Sequence, residues 1–152
     1  PQPCSVAEIG VHKGRTTAWI AGKCPMATIH AVDHWRPYHG ATRKEQEVAR
    51  VHAFSNMSPF RERIKVWAMP SLEASVVVPE VDVVLVDADN SEVACYADLC
   101  SWWPKAKRIV CAFGYGADES PGVTAAVSRF ARERNLTFDV LDCCVACFRK
   151  DG

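Results

Sequence analysis

Few architectures accommodate the stretch Ser5–Ile20, SVAEIGVHKGRTTAWI. A short apolar run, Val6 to Ile9, is broken only by Glu8. It leads into a glycine segment, Gly10 to Gly14, and then a helix-forming segment, Arg15 to Ala21. Strand, tight glycine turn and helix, in that order, is how an open α/β sheet builds a nucleotide site at a strand's carboxyl end. Glycine lets the backbone approach a ligand closely, and the first helical turn offers unpaired N–H groups. The spacing is Glu8-x-Gly10-x-x-x-Gly14, and His12 stands where a dinucleotide fingerprint would place its second glycine. That argues against a pyrophosphate packed on this turn. It leaves Glu8 at the strand end to receive a cationic or hydroxyl-bearing ligand. The competing reading is an ordinary βα turn whose glycines serve geometry alone.

The segments that follow extend the same pattern. Gly22-Lys23 reads as a helix stop with Pro25 beyond it, and Ala27–Val32 as a second strand ending at Asp33. An acid about 20 residues past the glycine turn, at the end of the second strand, is where a ribose hydroxyl finds its partner. A helix cap or turn is the other reading of Asp33. His34, Trp35, Tyr38 and His39 follow, rings that would stack on a base or cover the sheet edge. Arg43 to Phe54 is a polar helix expected to bury Val48, Val51 and Phe54, and Ile64–Ala68 a third strand. Ser71 stands at a cap position for a short helix.

Val81–Val86, VDVVLV, is the near-continuous β-branched run of a central parallel strand covered on both faces. It runs into Asp87-Ala88-Asp89-Asn90, polar groups at the end of a central strand, where α/β sheets place their chemistry. A helix is expected from about Ser91 or Glu92 to Trp102, a fifth strand over Arg108–Phe113, and a pocket-bordering loop at Gly114-Tyr115-Gly116. Pro121 opens a helix to about Arg134 that buries Val123, Ala126, Val127 and Phe130. Thr137–Leu141 and Val145–Arg149 are two strands joined so closely that they should pair antiparallel.

Composition removes several classes. Lys plus Arg and Asp plus Glu balance at 18 each, so no net field favours nucleic acid or an anionic membrane. No apolar run approaches the ~20 residues of a membrane span, and Pro1 to Cys4 lead directly into the first strand rather than reading as a signal peptide. At 152 residues the chain is expected to be one domain, 1–152. The 8 cysteines sit mostly in apolar runs, so reduced thiols packed as small hydrophobes in a reducing, cytoplasmic setting are expected. Cys144-x-x-Cys147 has no second half of a zinc site.

With these landmarks placed, the chain resembles the class I S-adenosylmethionine-dependent methyltransferases, and within them the small-molecule O-methyltransferase-like family 24. The carriers are Glu8 to Thr17, Ala31-Val-Asp33-His-Trp35, Val86-Asp-Ala-Asp89, Asp98 to Lys105 and Pro121-Gly-Val123. The resemblance implies a Rossmann-like, doubly wound, mostly parallel α/β sheet of about seven strands. Helices would cover both faces, and the terminal antiparallel pair would supply the reversed strand. It implies S-adenosylmethionine as cofactor, with Glu8 near the methionine amino end and Gly10 and Gly14 forming the turn. Asp33 would meet the ribose hydroxyls, His34 or Trp35 would flank the adenine, and Ser71 would lie on the adenine side. Asp87 would sit by the transferred methyl group, as a metal ligand or an acceptor-orienting acid.

The chain departs from that family on the acceptor side. An Asp-x-His-Ser-Tyr pattern usually follows the fourth strand, and here Asn90 replaces the histidine and Glu92 the tyrosine. The fifth strand usually ends Gly-His-Asp-Tyr, where this chain reads Ala112-Phe-Gly-Tyr115. A Mg²⁺ ion would therefore have Asp87 as its only candidate ligand. Methyl transfer to a small-molecule oxygen is the leading expectation, and a cofactor-binding module without turnover is the alternative. The expected partner is a small-molecule acceptor, with neither nucleic acid nor membrane. Oligomeric state is left open between monomer and homodimer.

Overall fold

The computed structural model describes residues 3–38, 40–142 and 144–150. The elements run β1 (Cys4–Ile9), α1 (Arg15–Lys23), β2 (Ala27–Val32), α2 (Arg43–Met57), β3 (Ile64–Trp67) and α3 (Ser71–Val77). They continue with β4 (Val81–Val86), α4 (Glu92–Trp102), β5 (Ala106–Phe113), α5 (Pro121–Arg134), β6 (Asp139–Leu141) and β7 (Val145–Arg149). The strands form one 7-stranded sheet in the order β3-β2-β1-β4-β5-β7-β6. Strands β1 to β5 run parallel, and β7 pairs antiparallel with both β5 and β6. The chain winds outward from β1 through β2 to β3, then returns to β4 on the other side of β1. The switch point therefore falls between β1 and β4, where doubly wound sheets open a crevice at the strands' carboxyl ends.

Alternation along the strands feeds two cores. Ala7, Ile9, Val84, Val86, Val110, Ala112 and Phe148 pack with α3, α4 and α5 on one face. Ala31 packs with Val11, Trp35 and the α2 residues Ala49, Ala53 and Met57 on the other. Helix α5 buries Val123, Ala126, Val127 and Phe130, the stripe read from the sequence. No helix among the described residues is long and apolar enough to cross a membrane.

The buried face of α2 is not the one the apolar residues suggested. Val48, Val51 and Phe54 are 45%, 67% and 45% exposed, while Gln46, Ala49, Ala53 and Met57 face inward. The cause is close approach at the glycine turn. A Cβ added to Gly14 would lie 3.0 Å from Ala53 Cα, so the backbones of the turn and of α2 meet closely at Ala53 and leave no room there for a larger side chain. Ala53→Leu is expected to cost about 2 kcal/mol by overpacking, measured by urea unfolding. Val51→Ser is expected to be near neutral there, and the reverse order would refute this docking face.

The cysteines are mixed in environment. Cys95, Cys111 and Cys147 are buried, Cys4, Cys100 and Cys144 half-buried, and Cys24 is exposed at the end of α1. Cys143 lies outside the described residues. Cys111 and Cys147 stand opposite each other across β5 and β7, with their Sγ atoms 2.6 Å apart.

Candidate functional site

A cleft of about 790 Å³ opens at the carboxyl ends of β1, β2 and β4, roofed by the starts of α1, α3 and α4. That is the size of a cofactor site. Its floor is held by strand-end hydrogen bonds. The Gly10 amide donates to Val32 O at 2.9 Å and the Asp87 amide to Ile9 O at 2.8 Å, so all three strands finish at one level.

Glu8 projects from β1 beneath α1 and is 2% exposed. The Thr17 hydroxyl donates to its Oε2, and the carboxylate still lines the cleft. Burial pushes its pKa up to about 7, the Thr17 hydrogen bond opposing and the charges of Asp87 and Asp33 adding to the rise. Asp87 opens onto the cleft beside it, and the protein packed around it raises its carboxyl to about 6. Among the described residues neither acid forms an ion pair, although Lys13 and Arg15 line the same cleft. The ion pairs among the described residues are Arg43–Glu47, Arg129–Glu133 and Arg149–Asp139, none of which involves a cleft acid.

Asp33 does the turn work that was its other reading from the sequence, and it also holds a second loop. Its Oδ2 accepts from the His12 amide and its Oδ1 from the Trp35 amide, both at 2.8 Å. His12 and Trp35 have φ of 47° and 45°, a left-handed backbone that costs non-glycine residues about 1 kcal/mol each. Asp33 thus clamps the two loops forming that wall of the cleft, and each oxygen keeps a lone pair. His34 lines the cleft, its Nδ1 accepting from the Arg36 amide at 2.8 Å. Trp35, expected beside the base, is instead 6% exposed in the second core. Its left-handed backbone turns the indole inward, where Nε1 donates to His12 O at 2.8 Å and the ring tilts against Phe54. His39 lies outside the described residues.

Ser71 is not a cap. Pro70 holds that position, and Ser71 begins α3 with its hydroxyl donating to Asp98 Oδ1 and accepting from Trp102 Nε1 at 2.9 Å. Asp89 shapes the entry to α4 by accepting from the Ser91 amide at 2.8 Å, and Ser91 caps the helix at the Ala94 amide. The Gly114-Tyr115-Gly116 loop, expected on the rim, is outside the cleft wall. The Gly114 and Tyr115 amides both donate to Cys144 O, at 2.9 and 3.0 Å, and the Tyr115 ring packs on Phe138. The Asn90 backbone packs against α5 at Gly122, and its side chain adds nothing to the cleft wall. Among the described residues, no three His, Cys, Asp or Glu side chains converge in a way that could hold a metal ion.

Asp98 is a cleft residue that motif reading missed. It stands on the wall facing Ser71, 4% exposed, and burial raises its carboxyl to about 6. A signal existed: Cys95, Asp98, Leu99 and Trp102 recur at helical spacing, which puts one acid on a buried apolar face.

The family model described as a methyltransferase domain matches residues 7–111, from β1 into β5. No curated protein matches the chain significantly. Solved structures share the fold at low identity. The O-methyltransferase NovP superposes with a TM-score of 0.70 at 15% identity, covering 99% of this chain and 73% of NovP. CalS11, a TDP-rhamnose 3'-O-methyltransferase of calicheamicin biosynthesis, gives 0.64 at 18%, covering 99% and 73%. Precorrin-6y C5,15-methyltransferase from Geobacter metallireducens gives 0.72 at 13%, covering 99% and 81%.

Proposed function

The chain belongs to the class I S-adenosylmethionine-dependent methyltransferases, and from that premise we propose that it methylates a hydroxyl group of a small molecule. The observation that carries the reading is the pair Glu8 and Asp87, acids on the cleft floor that form no ion pair among the described residues although Lys13 and Arg15 line the same cleft. A carboxylate as buried as that of Glu8 is costly without a counter-charge, and Asp87, more exposed, faces the same cleft. A ligand bearing an ammonium and a sulfonium supplies the missing charges. S-adenosylmethionine, when bound, supplies a methyl group activated by its positive sulfur.

The remaining steps belong to the chain's own residues. Glu8 and Asp87 would hold the cationic end, and Asp33 would meet the ribose hydroxyls with the lone pairs its backbone partners leave free. His34 and Ser71 would border the base. Asp87 is also the group to take the proton of an attacking hydroxyl. With a pKa of about 6 it is ionised at neutral pH yet basic enough to hold that proton. The rest of the rate enhancement would come from holding the hydroxyl at near-attack distance.

Calorimetric titration with S-adenosylmethionine and S-adenosylhomocysteine tests the reading, and absence of binding refutes it. Asp33→Asn is expected to weaken both ligands about tenfold and cost about 1 kcal/mol of stability, because one clamped amide then faces an amide nitrogen. Unchanged affinity would remove Asp33 from the site.

A second reading, a cofactor-binding module without turnover, is favoured by the acceptor side. There Asn90 and the Gly114–Gly116 loop stand outside the cleft wall. Binding with no methyl transfer to a panel of phenols and sugar hydroxyls, with and without Mg²⁺, would select it.

A further inference from the structure

Cys111 and Cys147 belong to neither hydrophobic core and to no wall of the cleft. Side chains alternate along a strand. Val110 and Ala112 of β5, with Ala146 and Phe148 of β7, face the core under α3, α4 and α5, so the two cysteines face the other side of the sheet. There they stand directly opposite each other in the antiparallel ladder. The Lys150 amide donates to Arg108 O at 2.8 Å and the Gly114 amide to Cys144 O at 2.9 Å, which makes Arg108 with Lys150, and Gly114 with Cys144, hydrogen-bonded pairs. Such pairs recur at every second residue, so Cys111 and Cys147 form a non-hydrogen-bonded pair, whose Cα atoms lie about 4.5 Å apart. That is within the roughly 4.4–6.8 Å that a disulfide spans. The Sγ atoms already meet at 2.6 Å, so a bond between them asks for no movement of the backbone. Cys144 does not compete, because its register position faces Gly114.

The geometry points to Cys111 and Cys147 as a site of oxidative modification that closes to a β5–β7 disulfide when the chain meets a hydroperoxide. One cysteine thiolate attacks a peroxide oxygen, the O–O bond breaks, and a sulfenic acid forms as the first water leaves. The facing thiolate attacks the sulfenic sulfur, the S–O bond breaks, and the second water leaves. Two electrons pass from the cysteine pair to the peroxide, and the two thiol protons end in the two water molecules. Both sulfurs are buried, and burial pushes the Cys111 thiol up, so thiolate is scarce and the reaction is slow beside that of the exposed Cys24. The product is a staple across the sheet. It joins residues 36 positions apart, with α5 and β6 between them, and so restrains the unfolded chain while leaving the cleft walls untouched.

The test treats the intact, reduced chain with hydrogen peroxide, blocks the remaining thiols with an alkylating agent, and maps the digest by mass spectrometry. A peptide linked between Cys111 and Cys147 is expected, with fragment ions separating Cys147 from Cys143 and Cys144. It should appear more slowly than modification of Cys24. The thermal midpoint of the treated chain is expected to rise by about 5–10 °C, and dithiothreitol should reverse both the link and the rise. Cys147→Ala is expected to lose the rise. A link to Cys143 or Cys144 in its place overturns the inference. So do Cys111 and Cys147 thiols still free for alkylation once Cys24 is consumed, or a rise retained by Cys147→Ala. The peptide assignment is made on the parent alone, so it decides the matter whether or not the variant folds.

Discussion

Glu8→Gln is expected to melt higher than the parent at about pH 8 while binding S-adenosylhomocysteine about a hundredfold more weakly. The stability half follows from linkage. The carboxyl of Glu8 has a pKa of about 7 when folded, against 4.5 in its unperturbed state. Below 4.5 both states are protonated and the group is neutral toward folding. As pH rises toward 7 the unfolded chain releases the proton first, so stability falls across that window and stays low above it. At about 1.4 kcal/mol per pKa unit the loss comes to roughly 3.5 kcal/mol.

Glutamine never ionises, and its carbonyl can still accept from the Thr17 hydroxyl. The variant should therefore recover most of that loss, a rise of several degrees in melting temperature for a chain of this size. Asp87 and Asp98 are raised in the same way, each to about 6. The variant keeps a residual pH slope from them, and the difference between parent and variant isolates Glu8. Binding moves oppositely, because the same carboxylate is what the cationic end of the ligand would meet. Thermal melts at about pH 5 and about pH 8 with calorimetry give both halves. A variant that melts lower than the parent at the higher pH would make Glu8 a structural residue, and undiminished affinity would remove it from the site.

Much of this was legible because local pattern and tertiary environment agreed. Val81–Val86 reads as a buried parallel strand and is one. Helix α5 shows its apolar stripe because it lies on the core. Val145–Arg149 had no room to be anything but antiparallel to its neighbour. The misreadings share a cause, which is long-range steric fit. Val48, Val51 and Phe54 would form a plausible buried stripe, yet α2 turns them outward and sets Ala53 and Met57 against Gly14 instead. Trp35 is an aromatic next to a candidate ribose acid, and a backbone φ of 45° sends it into the core. Ser71 matches a cap rule and instead bridges Trp102 and Asp98, residues about 30 positions away that no local rule connects to it. The acids themselves were visible; which of them lacked a partner was not.

Gly10→Ala is expected to remove most of the folded population, at a cost of at least about 4 kcal/mol against the total of about 5–15 kcal/mol typical of such domains. Gly10 has φ of +95°, and a Cβ there would sit 2.1 Å from Asp87 O and 2.7 Å from Ala88 Cα. Both are backbone atoms of the segment following β4, hydrogen-bonded back to β1 through the Asp87 amide, so neither can yield without parting the two central strands. Gly22→Ala is the internal control. That glycine lies in α1 with Phe60 Cζ at 3.5 Å from an added Cβ, ordinary contact, so alanine there should stabilise by about 0.5 kcal/mol. Circular dichroism and urea unfolding of the two variants separate the cases, and a well-folded Gly10→Ala protein would refute the packing.

The geometry also changes what the glycine motif means. The missing Cβ of Gly10 makes room for the backbone after β4, and that of Gly14 for α2. Neither glycine is thereby evidence for a ligand. The ligand argument passes to the acids those contacts bring together, and an excess of S-adenosylmethionine should not rescue Gly10→Ala.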